Sequence, residues 1–280
     1  MKSNKTDRIG TGWWDVLFPT VFLLLTEASA VVLVGLVIGR FSGEYEIDAM
    51  AKEVTAMPLL VSITFYAGAL LLQYKNFKVD EMRFGSSRNN WPVWKWAAAC
   101  LTLVCAGHAW SIVLLHSGLT AVFTGYTTVG VKAFENQNLF LLLLSTVVLG
   151  PVCEEVFFRG MTFRRARAQW GFLPAAVLSS VLFGLYHMNV IQFLYACGIG
   201  LLLARIYQSS GDLRLPVLAH MCVNAWAIAA DPFLEGVLKV SGTGLWITAA
   251  VEAVFAGAGM YLLIVCKSAK NTYNKKNKKN

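Results

Sequence analysis

The sequence contains few charged residues: Asp, Glu, Lys and Arg make up 14% of its 280 residues, whereas hydrophobic residues make up 56%. A water-soluble protein carries about 25% charged residues, which coat the surface of its core. This scarcity excludes a cytosolic enzyme, a secreted domain and a disordered chain. Lipid must therefore supply much of the solvent around this protein.

The cysteines follow no pattern of spacing. The six cysteines lie within or at the ends of apolar stretches, without the paired spacing of a disulfide framework or a metal cluster. We therefore predict that they are small buried hydrophobic residues. They are Cys100, Cys105, Cys153, Cys197, Cys222 and Cys266.

Long apolar stretches account for most of the chain, and they reach or approach the ~20 residues needed to cross about 30 Å of hydrocarbon. They predict an all-α, polytopic integral membrane protein with about eight transmembrane helices. The predicted spans are residues 16–39, 56–74, 94–115, 138–158, 172–187, 190–207, 215–231 and 245–266.

Basic residues lie mainly on one side of these spans. With a cytoplasmic N-terminus, 20 of the 24 Lys and Arg residues fall in the N-terminal segment, the inner loops and the C-terminal tail. This distribution follows the positive-inside rule and predicts an even number of spans with both termini cytoplasmic. The lysine-rich tail then faces cytosol or anionic lipid headgroups, and nucleic acid is not expected as a partner.

The first span has an alternative interpretation as a signal peptide. Three basic residues precede its apolar run, and Ala28-Ser29-Ala30 resembles a signal-peptidase site. Apolar residues continue past that site to Ile38, however, which favours a full transmembrane span.

Ionisable side chains inside the spans are few, and each is costly at bilayer depth unless it has a partner or a function. Three groups of residues share a four-residue spacing, which puts their members on one helix face. The groups are Glu154 and Glu155 with Arg159, Phe183 with His187, and His220 with Asn224.

The fourth span contains the predicted proton acceptor. Glu155 precedes Arg159 by four residues, so the two charges can neutralise each other and stabilise the helix. Glu154 lies about 100° around the helix axis from Glu155 and has no such partner. We therefore assign the chemistry to Glu154 as general base, and a supporting role to Glu155 and Arg159.

The other two groups predict further parts of a hydrolytic site. His220 and Asn224 can donate hydrogen bonds to a carbonyl oxygen as it becomes an oxyanion. Phe183 would form an aromatic floor beneath His187, which could share a water molecule with Glu154. Any single group could instead be a helix-packing contact, but the three together favour a functional site.

Three intramembrane ionisable residues lie outside these groups. Glu27 and His108 each stand alone in a span, so pairing or packing between helices is the preferred interpretation. Glu252 in the last span has no explanation from the sequence.

The three groups resemble a known set of motifs. EEVFFR (154–159), FGLYH (183–187) and HMCVN (220–224) are similar to EExxxR, FxxxH and HxxxN of the CPBP family. This family comprises the CAAX prenyl protease and bacteriocin-processing proteins, also called Abi. The motifs occur in the same order, and the similarity covers about residues 135–232.

The resemblance implies an intramembrane endopeptidase with a helical fold and a cavity open to the cytosol. In the family pattern, Glu154 and His187 activate the attacking water, whereas His220 and Asn224 hold the oxyanion. The substrate would be a membrane-associated peptide or protein, as in CAAX processing, peptide maturation or bacteriocin self-immunity. Compact loops and the Lys/Asn-rich tail favour a bacterial cell membrane as its location.

Metal dependence stays open at this point. Glu and His are ligands of zinc, so Glu154, His187 and His220 are the candidates if a divalent metal is bound. The HExxH motif of zinc proteases is absent, and catalytic zinc sites usually have three protein ligands. The sequence is compatible with a glutamic-type and with a metal-dependent endopeptidase.

The predicted organisation is three unassigned helices at 1–134, a protease-like core at 135–232, a last helix at 233–266 and a basic tail at 267–280. Two other functions stay open. A Glu/His cluster at midplane depth could be the proton relay of a transporter. The chain could also be a non-catalytic membrane scaffold or immunity protein.

Overall fold

The structure is a computed structural model that describes residues 12–42, 58–85, 91–123, 138–231 and 242–277. All regular secondary structure in these ranges is helical, which confirms the all-α fold class. Besides a single turn at Leu119–Val122, the described chain forms eight long helices. They are α1 (Trp13–Ser42), α2 (Pro58–Phe84), α3 (Val93–His116), α4 (Leu139–Trp170), α5 (Phe172–Tyr186), α6 (Val190–Ser210), α7 (Arg214–Asp231) and α8 (Thr243–Asn277).

Three helices extend well beyond the predicted spans. α2 continues to Phe84, α4 to Trp170 and α8 to Asn277, whereas the sequence predicted ends at 74, 158 and 266. These extensions are rich in Lys and Arg, which end a hydropathy window although they are good helix formers. The hydropathy pattern therefore predicted the apolar part of each helix and not the end of the helix.

Five helices are long and apolar enough to cross a membrane: α1, α3, α4, α6 and the apolar part of α8. α5 is apolar but has only 15 residues, which is short for a full crossing. The described chain is thus an integral membrane protein, and a count of eight crossings stays a prediction.

The ends of several helices meet at one end of the molecule. Arg165 of α4 forms an ion pair with Asp80 of α2 at 2.7 Å and donates from Nη1 to the backbone oxygen of Asp15 in α1. The rings of Trp13 and Trp170 are 4.4 Å apart at the same end. This end contains the segments that the charge distribution predicts to be cytoplasmic.

The helices α5 and α6 form a tight hairpin. A Cβ atom at Gly184 would meet the backbone oxygen of Phe193 at 2.8 Å, and one at Gly200 would meet the Ser180 side chain at 2.9 Å. Small residues at these positions let the two backbones approach closely. The hairpin turns at residues 187–189, where Asn189 caps α6, so His187 lies at its tip.

Five of the six cysteines have described side chains, and all five are free thiols. Cys153 is buried, but Cys100, Cys105, Cys197 and Cys222 are half-buried, so the prediction of burial was wrong for four of them. Lipid replaces protein as the neighbour of a helix face, so an apolar position in a span need not lie in the core. The side chain of Cys266 lies outside the described residues.

Candidate active site

The helix α4 is irregular around the two glutamates. Gly150–Glu155 is α-helical, but π-helical segments precede it at Leu143–Leu149 and follow it at Val156–Phe163. In the first of them the Gly150 N–H bonds to the oxygen of Ser145. π-Helical turns occur frequently at functional sites.

Pro151 leaves one carbonyl group of this segment without a partner inside the helix. In π-helical geometry the oxygen of Thr146 would accept from the N–H of residue 151, which proline lacks. The Asn224 amide of α7 donates from Nδ2 to this oxygen at 2.8 Å. Asn224 of α7 therefore bonds to the carbonyl group that Pro151 leaves unpaired in α4.

The expected ion pair in α4 is present. Arg159 Nη1 lies 2.8 Å from Glu155 Oε1, and both side chains are completely buried. Arg159 also donates from Nη2 to the oxygen of Gly200 at 3.1 Å, and its guanidinium lies 4.7 Å from the ring centroid of Phe183. This arginine thereby connects α4 to both helices of the hairpin.

His220 lies between the two glutamates. Its Nδ1 is 3.0 Å from Glu155 Oε1, and its Nε2 is 3.6 Å from Glu154 Oε2. A carboxylate that is ion-paired with Arg159 accepts hydrogen bonds, so Nδ1 is the donor in this contact. Glu155 therefore does more than neutralise Arg159, because it also turns the other nitrogen of His220 towards Glu154.

His187 presents one ring nitrogen for chemistry. Its Nδ1 lies 2.8 Å from the backbone oxygen of Phe183, which can only accept, so Nδ1 is the donor; in the neutral imidazole Nε2 then carries the lone pair. The ring of Phe183 contacts the imidazoles of both His187 and His220 edge-on, with centroids 4.9 and 5.7 Å away. Phe183 thus separates and orients the two histidines.

A cavity of about 560 Å³ joins these side chains. Four residues predicted as catalytic line it: Glu154, His187, His220 and Asn224. The cavity wall also includes Phe183, whereas Glu155 and Arg159 lie behind it. One cavity is therefore shared by α4, α5 and α7.

The cavity also contains polar residues that the sequence did not assign to the site. Glu27 of α1 and Tyr66 of α2 line it, and Tyr66 donates from its hydroxyl to Glu154 Oε1 at 3.4 Å. The sequence favoured a packing role for Glu27. The free energy needed to place a glutamate in a span was nevertheless a signal of function. Tyr66 gave no such signal, because a tyrosine in a span is common at interfaces.

A second, smaller cavity of about 200 Å³ lies across Asn224 and shares Gln192 and Tyr195 with the first. His108 lines it, and the Nδ1 of His108 is 2.8 Å from Glu252 Oε2. This pair connects α3 to α8. It explains Glu252, and it agrees with the interpretation of His108 as a helix-pairing residue.

The described residues do not fit a zinc site. Within the described ranges, no group of three or more His, Cys, Asp or Glu side chains is arranged to hold a metal ion. Of the three candidates, His220 directs both nitrogens at glutamates, and the Nδ1 of His187 faces a backbone carbonyl. The chemistry derived below therefore uses only water and the side chains of the chain itself.

Known proteins match the same part of the chain. Residues 136–226 match the family model described as Type II CAAX prenyl endopeptidase Rce1-like. A Bacillus subtilis protein named "Putative membrane peptidase YdiL" is 27% identical over 92 residues, which are 33% of this chain and 38% of that protein. An Escherichia coli protein named "Uncharacterized 24.3 kDa protein" is 29% identical over 134 residues, which are 45% of this chain and 58% of that protein.

These matches confirm the resemblance to the CPBP family and indicate a membrane protease of the CAAX type. The chain spans less than two thirds of the length of either relative. No solved structure matches the chain.

Proposed function

We propose that this protein is an intramembrane endopeptidase that hydrolyses a peptide bond of a membrane-associated peptide or protein. The observation that supports it most is the convergence of Glu154, His187, His220 and Asn224 on one cavity from three helices. Convergence of an acid, two imidazoles and an amide suits acyl transfer to water better than helix packing.

In the proposed mechanism, Glu154 accepts a proton from a water molecule in the cavity, with His187 Nε2 accepting its second hydrogen bond. The water oxygen forms a bond to the carbonyl carbon of the substrate, and the carbonyl π electrons move to its oxygen. The tetrahedral intermediate then collapses, the C–N bond breaks, and the proton held by Glu154 passes to the leaving amine.

The oxyanion is stabilised by donors on α7. The Asn224 amide has a second hydrogen beyond the one that it donates to Thr146, and His220 donates from Nε2 when that nitrogen is protonated. Glu155 and Arg159 act as positioning residues, because Glu155 fixes the imidazole of His220. Phe183 has the same function towards both histidines.

We further propose that the enzyme lies in a bacterial cell membrane, with both termini and the mouth of the cavity on the cytoplasmic side. Substrates of the CAAX-processing, peptide-maturation or bacteriocin type would enter from lipid. The second cavity beside Asn224 has mostly apolar walls, including Leu114, Ile191 and Val223, and suits an apolar side chain of the substrate.

The decisive variant is Glu154→Gln, which keeps the shape of the side chain and removes the base. Purified protein in lipid nanodiscs is tested on a library of fluorescence-quenched peptides. We expect the rate to fall at least about 100-fold, since general base catalysis contributes roughly that much. The matched control is Glu81→Gln, a glutamate that pairs with Lys78 on α2 and lines neither the catalytic cavity nor the cavity beside Asn224, so it should leave the rate within about twofold.

Cleavage by Glu154→Gln at the rate of the unchanged protein would contradict the assignment of the base. Full cellular function of Glu154→Gln and His187→Gln cells would instead favour the scaffold or immunity role. Comparing membrane peptides from cells with the unchanged protein and with Glu154→Gln would identify the substrate, as the precursor that accumulates.

A further inference from the structure

A third cavity, with a distinct chemistry, lies where α2, α4 and α6 end. It encloses about 460 Å³, and we call it the arginine cavity. It shares no lining residue with the catalytic cavity. Its wall includes Phe84, Arg164, Arg167, Tyr207, Gln208 and Gly211.

The charged residues that line the arginine cavity are both cationic within the described part of the chain: Arg164 and Arg167. Arg167 is exposed. Arg164 is only 6% exposed, which is unusual for an arginine at a membrane boundary. A buried cation is costly unless it has an anionic or hydrogen-bonding partner, so an open space beside it suits an anion.

The guanidinium of Arg164 is held in a fixed orientation. Its Nε donates to the hydroxyl of Tyr207, and its centre lies 5.5 Å from the Tyr207 ring and 6.0 Å from the Phe77 ring. Its Nη1 is buried and has no hydrogen-bond partner among the residues that the structure describes. The side chain is thus preorganised by an aromatic neighbour while part of its donor capacity is unused.

Neighbouring acids do not neutralise this charge by direct pairing. Asp80 is 2.7 Å from Arg165, and Glu81 is 2.6 Å from Lys78. Asp212 is likewise paired with Arg214. The nearby carboxylates are therefore committed to other bases, and the arginine cavity keeps an excess of positive charge.

We propose that the arginine cavity binds the phosphate group of an anionic phospholipid. Planar guanidinium groups match the oxygen geometry of phosphate. The cavity lies among helix ends at the basic end of the molecule, where lipid headgroups are expected, and basic pockets between helices bind such headgroups. A zwitterionic lipid fits less well, because its choline cation would meet the same positive wall. This proposal does not depend on the proposed protease activity.

The test measures retained lipid on the full-length protein. Protein reconstituted in an equimolar mixture of phosphatidylglycerol and phosphatidylcholine is released from detergent and examined by native mass spectrometry. We expect the unchanged protein to retain phosphatidylglycerol in preference, and Arg167→Gln to lower that retention at least fivefold. Arg205→Gln is the matched control, since Arg205 lies on α6 against the Phe172 ring and outside the cavity.

A second variant addresses Arg164. Arg164→Gln removes a buried side chain that holds Tyr207, so it is paired with Arg164→Lys, which keeps the charge but loses the planar fork. We expect Arg164→Lys to fold and to retain less phosphatidylglycerol than the Arg205→Gln control. Equal retention by Arg167→Gln, Arg164→Lys and Arg205→Gln would overturn the proposal.

A third experiment compares the lipid with soluble phosphate compounds as the ligand of the arginine cavity. Thermal unfolding of the protein in neutral detergent is followed with added phosphatidylglycerol, inorganic phosphate or glycerol 3-phosphate. We expect phosphatidylglycerol to raise the temperature of the unfolding midpoint. The Arg167→Gln variant should not show this rise. A rise of the same size with inorganic phosphate alone would overturn the lipid as source and assign the site to a soluble phosphate compound.

Discussion

At the scale of single residues, the site depends on how three charges are shared among four side chains. Arg159 is neutralised by Glu155, which also holds His220, and His220 faces Glu154 with its other nitrogen. Glu154 has in addition the hydroxyl of Tyr66 as donor. Glu154, the proposed base, is therefore connected through His220 to the buried ion pair of Glu155 and Arg159.

Arg159→Met should destabilise the protein strongly, because it leaves Glu155 charged and buried without its partner. We expect the free energy of unfolding to fall by roughly 3–5 kcal/mol, measured by SDS titration in detergent micelles. The double variant Glu155→Gln/Arg159→Met should recover much of this loss, since no uncompensated charge remains.

Lys78→Met is the control for that experiment. Lys78 also pairs with an acid on its own helix, Glu81, but on an exposed surface. Its loss should not move the unfolding transition measurably. An Arg159→Met protein as stable as Lys78→Met would contradict the role of the buried ion pair.

At the scale of helices, the junction of α4 with α7 rests on Pro151. Asn224→Leu should lower the free energy of unfolding by about 1–3 kcal/mol, because the oxygen of Thr146 loses its donor. In a Pro151→Ala background the same substitution should cost less, since residue 151 then has an N–H for that oxygen.

This prediction is a double-mutant cycle with unfolding as its readout, so it does not depend on activity. If Asn224→Leu costs the same with proline and with alanine at 151, the proposed link between Pro151 and the Thr146 carbonyl is wrong. Ser145→Ala is a control in the same π-helical segment, because its hydroxyl bonds only within α4 in the described structure.

The hairpin of α5 and α6 gives a second prediction for helices. Gly184→Ala should lower the free energy of unfolding by about 1–3 kcal/mol and reduce peptide cleavage, because a methyl group there collides with Phe193 and displaces the hairpin tip. Both quantities are measured on the same purified protein, by SDS titration and with the peptide library.

Gly68→Ala is the matched control in α2, where nothing lies within 4 Å of an added methyl group. Alanine is a better helix former than glycine, so this variant should be neutral or more stable. A Gly184→Ala protein that behaves like Gly68→Ala would show that the close approach of the two helices is dispensable.

At the scale of the whole molecule, the basic helix ends predict the orientation of the protein in the membrane. We predict that both termini are cytoplasmic, which reporter fusions to each terminus will test: a cytoplasmic reporter such as green fluorescent protein should be active, and a periplasmic alkaline phosphatase inactive. Replacing the basic residues of the 267–280 tail should not change this topology, because basic segments next to α1, α2 and α4 remain. Active phosphatase at either terminus would refute the predicted orientation.

The amino-acid sequence alone predicts the lipid environment, the helical class and which ionisable residues are costly inside the spans. Composition and four-residue periodicity are local properties, and they are enough to assign residues such as Glu155 and Arg159 to one face of one helix. The three motifs added the resemblance to a protease family, which the matches over residues 136–226 confirm.

The packing of the helices in three dimensions determines which side chains meet across helices. His220 contacts Glu155, which is 65 positions away, and His108 pairs with Glu252, which is 144 positions away. Glu27 and Tyr66 line the catalytic cavity from two further helices. No local pattern encodes such contacts, because helix rotation and depth are set by packing against neighbouring helices. The sequence therefore predicts which residues share a face of each helix. Which faces contact each other depends on the close packing of α5 on α6 and on the bond from Asn224 to the unpaired carbonyl group near Pro151.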